Sequence, residues 1–239
     1  MHAIAYDEIH DEFFVPVPFP QAILAFRGGA SGEEAPVRFI QGPRTGLAYP
    51  IRLAVDPVHN EIFVPQGDKV LVFPRDGQGD VAPLRVLGGP DTRLDSSALA
   101  VDPLHNLLIV IGELPGSDVE TDHILIFNRT DQGNTKPKAI IGGPRSGLRN
   151  LSGPFTVYPP KGWIVLGDRG EGGLASDVAY VGVWSVEDNG DVPPRWRIGG
   201  PHGVFQMPRG VTLNPKHQEI IVSDKRLNAV LTFHFPEFF

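Results

Sequence analysis

Four of the chain's eight histidines, His10, His59, His105 and His217, stand at one offset within similar segments. Recurring imidazoles are the first residues to weigh for metal binding or for proton transfer near neutral pH. A metal ion needs its ligands gathered at about 2 Å, whereas equivalent turns on separate repeats are spread around a molecule. These four therefore read as turn residues. A second constellation is Asp118-Val-Glu-Thr-Asp122-His123, in which alternate carboxylates and an imidazole can serve a hard cation. It lacks the spaced Asp/Asn/Gly pattern of a calcium loop, so a solvated acidic loop is the plainer reading. The sequence has no GxSxG elbow, phosphate loop or HExxH pair.

The segments that position these residues repeat. Leu53-Ala-Val-Asp-Pro-Val-His-Asn-Glu-Ile-Phe-Val64 has counterparts beginning at Ile4, Leu99, Phe155 and Val211. A period of roughly fifty residues points to a solenoid, a propeller or an array. Each copy divides into short β-rich stretches, such as Leu53 to Val55, Glu61 to Val64 and Val70 to Phe73, separated by turn residues. Between the first two, Asp56 can bond the backbone ahead of it, Pro57 presets φ and Asn60 tolerates a left-handed conformation. The third strand ends in a large aromatic, in turn Phe26, Phe73, Phe127, Trp184 and Phe233, which reads as a core layer between neighbouring units. A polar turn follows, then Pro36, Pro83, Pro137 or Pro194 opening a fourth strand. Proline at the first residue of a strand marks a sheet edge, because it cannot donate to a ladder.

Four antiparallel strands per copy, small residues on the first (Ala5, Ala54, Ala100, Thr156, Thr212) and a proline-guarded fourth describe a propeller blade. The last copy, with Pro208-Arg-Gly-Val-Thr-Leu-Asn-Pro215, Glu219-Ile-Ile-Val-Ser-Asp224 and Asn228-Ala-Val230, resembles the NHL-type propeller repeat. That resemblance implies a non-enzymatic binding propeller, in which Asp224 caps its own turn. Copies three and four depart from it through insertions at Gly112 to His123 and Gly167 to Val178.

The expected fold is thus an all-β propeller forming one domain over residues 1–239, with five blades near 3–41, 50–88, 98–142, 154–199 and 210–234. Only four copies reach a fourth strand, so the last blade should lack its outer one. Part of a six-bladed propeller is the alternative. Val230-Phe233 should then present an unpaired edge, open to a partner's strand, to a second copy, or to the tail Phe235-Pro-Glu-Phe-Phe239 folding back.

Composition narrows the function classes. The net charge is −7 with no Lys/Arg cluster, which argues against a nucleic-acid partner. No apolar run approaches the length of a membrane span, and zero cysteines leaves neither a disulfide framework nor a thiolate metal site. The sequence after Met1 shows no signal-peptide pattern. No cofactor is expected. Ligand-contacting candidates on the face of the crossing loops are Arg44, Asp68, Asp122, His123, Arg145, Asp168, Arg169, His202 and Arg209. The favoured function is binding of a protein or small ligand by these loops. The alternative is a metal-assisted hydrolase or lyase at the axial mouth, using Asp122, His123, Asp168 and Asp177. The inner-strand ends, Pro50-Ile-Arg52, Ser96-Ser-Ala98, Ser152-Gly-Pro154 and Pro208-Arg-Gly210, offer that alternative no acid or imidazole.

If Phe73 is a core-layer residue, Phe73→Ala should lower unfolding free energy by about 3 to 5 kcal/mol, the range for emptying a buried aromatic site. Urea denaturation measures this, and a loss below about 1 kcal/mol would place the ring on the surface.

Overall fold

The computed structural model describes residues 3–114, 122–149, 151, 153–169 and 178–239. They form five antiparallel sheets, each wound in sequence order. Blade A consists of β1 (Ala5–Asp7), β2 (Glu12–Val17), β3 (Ala22–Arg27) and β4 (Arg38–Gln41). Blade B comprises β5 (Ala54–Asp56), β6 (Glu61–Pro65), β7 (Lys69–Pro74) and β8 (Arg85–Gly88). Blade C follows with β9 (Ser96–Asp102), β10 (Leu107–Glu113), β11 (Asp122–Asn128) and β12 (Ala139–Ile141). Blade D is β13 (Thr156–Tyr158), β14 (Trp163–Asp168), β15 (Tyr180–Ser185) and β16 (Trp196–Gly199). Blade E has three strands, β17 (Pro208–Asn214), β18 (Glu219–Asp224) and β19 (Ala229–His234). The molecule is a five-bladed β-propeller whose last blade lacks the outer strand.

Register explains why the strands read as nearly continuous apolar runs. Ile62 pairs with Phe73 and Val64 with Leu71, and this set packs toward blade A. The alternate set, Phe63, Val70, Val72 and Leu87, packs toward blade C. An inner blade therefore buries both faces of its sheet, and polar alternation disappears. The third-strand aromatics follow suit, since Phe73, Phe127 and Trp184 are all 0% exposed.

The first turn of each blade is built as its residues require. Asp56 Oδ1 accepts from the amides of Val58 and His59, both at 3.0 Å, while Oδ2 lies 2.8 Å from His59 Nδ1. Asp7 and His10 repeat this at 2.8 Å, Asp102 and His105 at 2.7 Å. Asn60 and Asn106 take the left-handed conformation at φ 57°. Those three histidines thus close their own turns. His217 lacks that aspartate, because Asn214 stands in its place and donates to Glu219 instead.

Neighbouring blades are joined in three ways. Apolar clusters run from A to B, from B to C, and on through C, D and E. Arginine reaches back across two seams: Arg75 of blade B meets Glu12 at 2.6 Å and Asp7 at 3.6 Å, and Arg129 of blade C meets Glu61 and Asp56 in the same way. Finally, in blades B, C and D a glycine in the polar turn before the fourth strand clasps the preceding blade. Gly79 donates to Phe39 O at 2.7 Å and accepts from Gln41 N at 3.0 Å, and Gly133 and Gly190 do the same to β8 and β12. Each clasping glycine has a positive φ, 72°, 61° and 80°, which glycine alone adopts without strain.

Two expectations change. Pro36, Pro83, Pro137 and Pro194 stand two residues ahead of their strands rather than opening them, and pairing starts at the next residue, as Leu84 N to Val72 O shows at 2.7 Å. The tail does not cover the edge of β19. It forms a 3-10 turn, Pro236–Phe238, in which Phe238 is 0% exposed against Tyr158 and Trp196 of blade D. Aromatic packing there takes the place of the clasp that a fourth strand would have brought. The outer edge of β19 has no strand partner among the described residues, and Val230 is 68% exposed.

Arg129 is nearly buried and serves two carboxylates of blade B at once. Removing one partner of a buried ion pair strands the other charge, at about 3 to 5 kcal/mol. Arg129→Ala should therefore lose that much stability in thermal or urea unfolding at neutral pH, whereas Arg27→Ala, which breaks the exposed pair with Glu34, should lose under about 1 kcal/mol.

Candidate functional site

The first strands β1, β5, β9 and β13 wall an axial cavity of 240 Å³, lined largely by small and aliphatic residues such as Ala5, Ala54, Ala100 and Thr156. Arg52, just before β5, is the charged side chain in that wall. Its Nη1 donates to Ser97 O, while Nε is buried with no hydrogen-bond partner. Burial, followed by repulsion from Arg209 and Arg169, lowers its pKa. Arg169 and Arg209 are thus near enough to Arg52 to repel it, while Arg209 itself borders a separate groove with Ser223, Asp224 and Val230. Arg169 is held in the same field, with Asp122 and Asp168 offsetting part of its charge.

The carboxylates at this end act mainly as loop holders. Asp168, fully buried at the end of β14, accepts from Arg149 N at 2.7 Å. Asp122, the first residue of β11, accepts from Leu151 N. Asp224 accepts from the amides of Gln206 and Met207 at 2.8 Å and of Arg226 and Leu227 at 3.0 Å. Burial alone would raise the Asp224 pKa, but those four N–H bonds hold it below the ordinary carboxylate range. It caps its own turn, as the repeat resemblance implies, and also the crossing loop before it. Gln66 does this work in blade B, accepting from Ala48 N at 2.8 Å. Among the described residues Asp122 accepts one such bond, from Leu151 N, and burial pushes it up to about 6, helped by Glu113 and Asp168.

The structure gathers some of the sequence candidates and scatters the rest. Asp122, Asp168, Arg169 and Arg209 come together near the axial mouth. His123 packs its ring against the backbone of Gly142 at the side of blade C. Arg44 and Arg145 sit in equivalent exposed turns beyond the outer strands, where their backbone amides bond Asp80 and Asp191 of the following blade at 2.7 Å. Asp68 lies in the exposed turn between β6 and β7, beside a 310 Å³ groove, and His202 is exposed in the loop after β16. Asp118, Glu120 and Asp177 fall outside the described residues. Among the described residues, no three His, Asp or Glu side chains are grouped to hold a metal ion. Sequence reasoning passed over Arg52, although it and Arg209 are the two arginines among the Pro, Ser and Gly of the inner-strand ends.

No protein family matches the chain, and no curated protein matches it. Solved structures do. A crystal structure of a nidogen/laminin complex aligns over 99% of this chain and 80% of its own, at 16% identity and TM-score 0.62. Hydrazine synthase of Kuenenia stuttgartiensis aligns over 96% of this chain and 63% of its own, at 12% identity and TM-score 0.66. The β-propeller domain of Cps50 (Swd1) from Myceliophteria thermophila aligns over 99% and 66%, at 10% identity and TM-score 0.63. This chain thus spans about two thirds of the latter two. At such identities the likeness defines a fold, the β-propeller, that also serves unrelated tasks. No helix among the described residues is long and apolar enough to cross a membrane.

The Asp122 carboxyl yields a pH test. Its folded pKa, about 6, lies above the unfolded one, so the folded state binds more protons between about pH 4 and 6. Stability attributable to this group should therefore fall as pH rises through that window. Asp122→Asn keeps an acceptor for Leu151 N and should remove the slope, leaving the variant as stable as the parent, or more so, at pH 7. Carboxyl NMR titration with a midpoint below 4.5 would contradict this.

Proposed function

We propose that this propeller is a non-enzymatic binding module that takes a protein or small ligand on the loops at its axial mouth, with Arg52, Arg169 and Arg209 facing an acidic group. One observation carries the reading: Arg52 stands in the wall of the axial cavity with its Nε buried and without a hydrogen-bond partner, and Arg169 and Arg209 of other blades add positive charge to its surroundings. Guanidinium is suited to bidentate recognition of carboxylate or phosphate. Asp68, Asp122, His123, Asp168 and the peripheral Arg44, Arg145 and His202 shape the surrounding face in this reading. The NHL-type resemblance points the same way, and the crystal structure of a nidogen/laminin complex is an instance of this fold within a protein complex. In the same reading, residues 1–239 act as one propeller domain and the open edge at Val230-Phe233 is a second place for a protein partner.

The test is fluorescence anisotropy with a labelled Asp/Glu-rich peptide and a Lys-rich control. The acidic peptide should bind, and Arg52→Gln and Arg209→Gln should each weaken it at least tenfold, about 1.4 kcal/mol, with little change in Tm. Equal binding of the two peptides, or wild-type binding by both variants, would remove the mouth from the proposal.

A further inference from the structure

The seam between blades E and A is built unlike the others. Blade A turns toward it the residues equivalent to the buried set of blade B. Phe13 and Phe26 stack there at 5.5 Å, yet both stay half-buried, where Ile62 and Phe73 are 0% exposed. Blade E turns toward it a mixed face, in which the exposed Thr212, Ser223 and Thr232 accompany the half-buried Ile221 and the exposed Val230. None of the apolar clusters among the described residues joins E to A. Face packing of this kind does not close the seam, and the outer strand is the missing part.

The four complete blades define what that strand must be. In each, a branched aliphatic of the fourth strand faces one position of the third: Ile40 opposite Ile23, Leu87 opposite Val70, Ile141 opposite Ile124, Ile198 opposite Val181. The equivalent position in blade E is the exposed Val230. In three blades the clasping glycine of the next blade bonds on both sides of that aliphatic. Two residues beyond it stands Gly42, Gly89 or Gly143, where a Cβ would meet Asp80, Asn134 or Asp191 within 2.8 Å. Blade A carries the corresponding clasp. Gly32 lies six residues after Phe26 and four before Pro36, the spacing of Gly79 between Phe73 and Pro83, with φ 62°. No hydrogen bond to its amide or carbonyl occurs among the described residues.

We propose that the E–A seam takes an extended segment of a partner protein, antiparallel to β19, with Ile or Leu opposite Val230 and a glycine two residues later held by the Ser31-Gly32-Glu33 turn. This deepens the binding reading above and rests on it only for the role of binding. The interaction is strand addition, with the backbone supplying affinity and the aliphatic and the glycine supplying selectivity.

A labelled peptide Pro-Leu-Arg-Val-Leu-Gly-Gly-Pro, copied from residues 83–90, probes it with the full chain. Saturable one-to-one binding is expected, together with at least tenfold slower amide exchange across residues 229–233. Replacing the second leucine by aspartate, or N-methylating alternate peptide bonds, should weaken binding at least tenfold, while Arg52→Gln in the protein should leave it unchanged. No added protection of 229–233 at saturating peptide would overturn the proposal. So would the free chain sedimenting as a dimer with those amides already protected, since a second copy would then hold the edge. Failure here leaves the axial-mouth reading standing, and failure of the acidic peptide at the mouth leaves this one untouched.

Discussion

Everything in this molecule depends on a blade being unable to bury its two apolar faces alone. A sheet such as blade B, with Ile62 and Phe73 on one side and Phe63 and Val72 on the other, is stable in water only when sandwiched between two others. The consequence is visible in how one residue position fares around the molecule. The third-strand aromatic is sealed where blades stand on both sides, at Phe73, Phe127 and Trp184, and half-buried at Phe26 and Phe233 in the first and last blades. The clasping glycines add backbone hydrogen bonds to this burial, and they fix β4, β8 and β12 from two sides at once.

The charged residues divide along the same lines. At one end, Asp7, Asp56 and Asp102 close turns with histidine, while Glu12 and Glu61 receive arginines from the next blade. Burial would raise the Glu61 pKa, but Arg85 and Arg129 hold it below its ordinary range. At the other end, Asp168 and Asp224 accept backbone amides of crossing loops. A carboxylate committed to several N–H groups is a poor base and a poor metal ligand. These carboxylates are thereby committed to holding turns and seams.

The fold was legible because its signals are local and repeated. The Asp-Pro-x-His-Asn turn, the aromatic closing each third strand and the Gly-Pro after each fourth recur at fixed offsets, so counting them returned the blades and the missing strand. What the sequence concealed lies between repeats. Arg75 and Arg129 reach carboxylates 63 and 68 residues away, and no local pattern marks them as partners. Arg52 stood in plain view at an inner-strand end, but its neighbourhood with Arg169 and Arg209 exists only once five blades are arranged about an axis. The tail is one of three covers the sequence allows for the β19 edge, because it follows that strand. Its aromatics found more apolar surface on Tyr158 and Trp196.

That last choice clarifies how blade E manages with three strands. In blades B, C and D the turn after the third strand returns as a fourth and clasps the blade before it through Gly79, Gly133 or Gly190. Blade E lacks that return, so β16 would lose its clasp and the D–E seam its outer seal. Phe235, Phe238 and Phe239 supply apolar contact there instead, and Phe205 closes on Phe233 nearby at 5.3 Å. Seam D–E is thus sealed from within the chain by a different chemistry, which explains why blade E stays attached although no apolar cluster among the described residues holds its opposite face. On the E–A side no comparable aromatic plug occurs among the described residues, and the half-buried Phe13 and Phe26 remain beside an unengaged clasp. One missing strand therefore has two unequal effects: it is compensated where the tail can reach, and it leaves the outer edge of β19 without a strand partner among the described residues where the tail cannot.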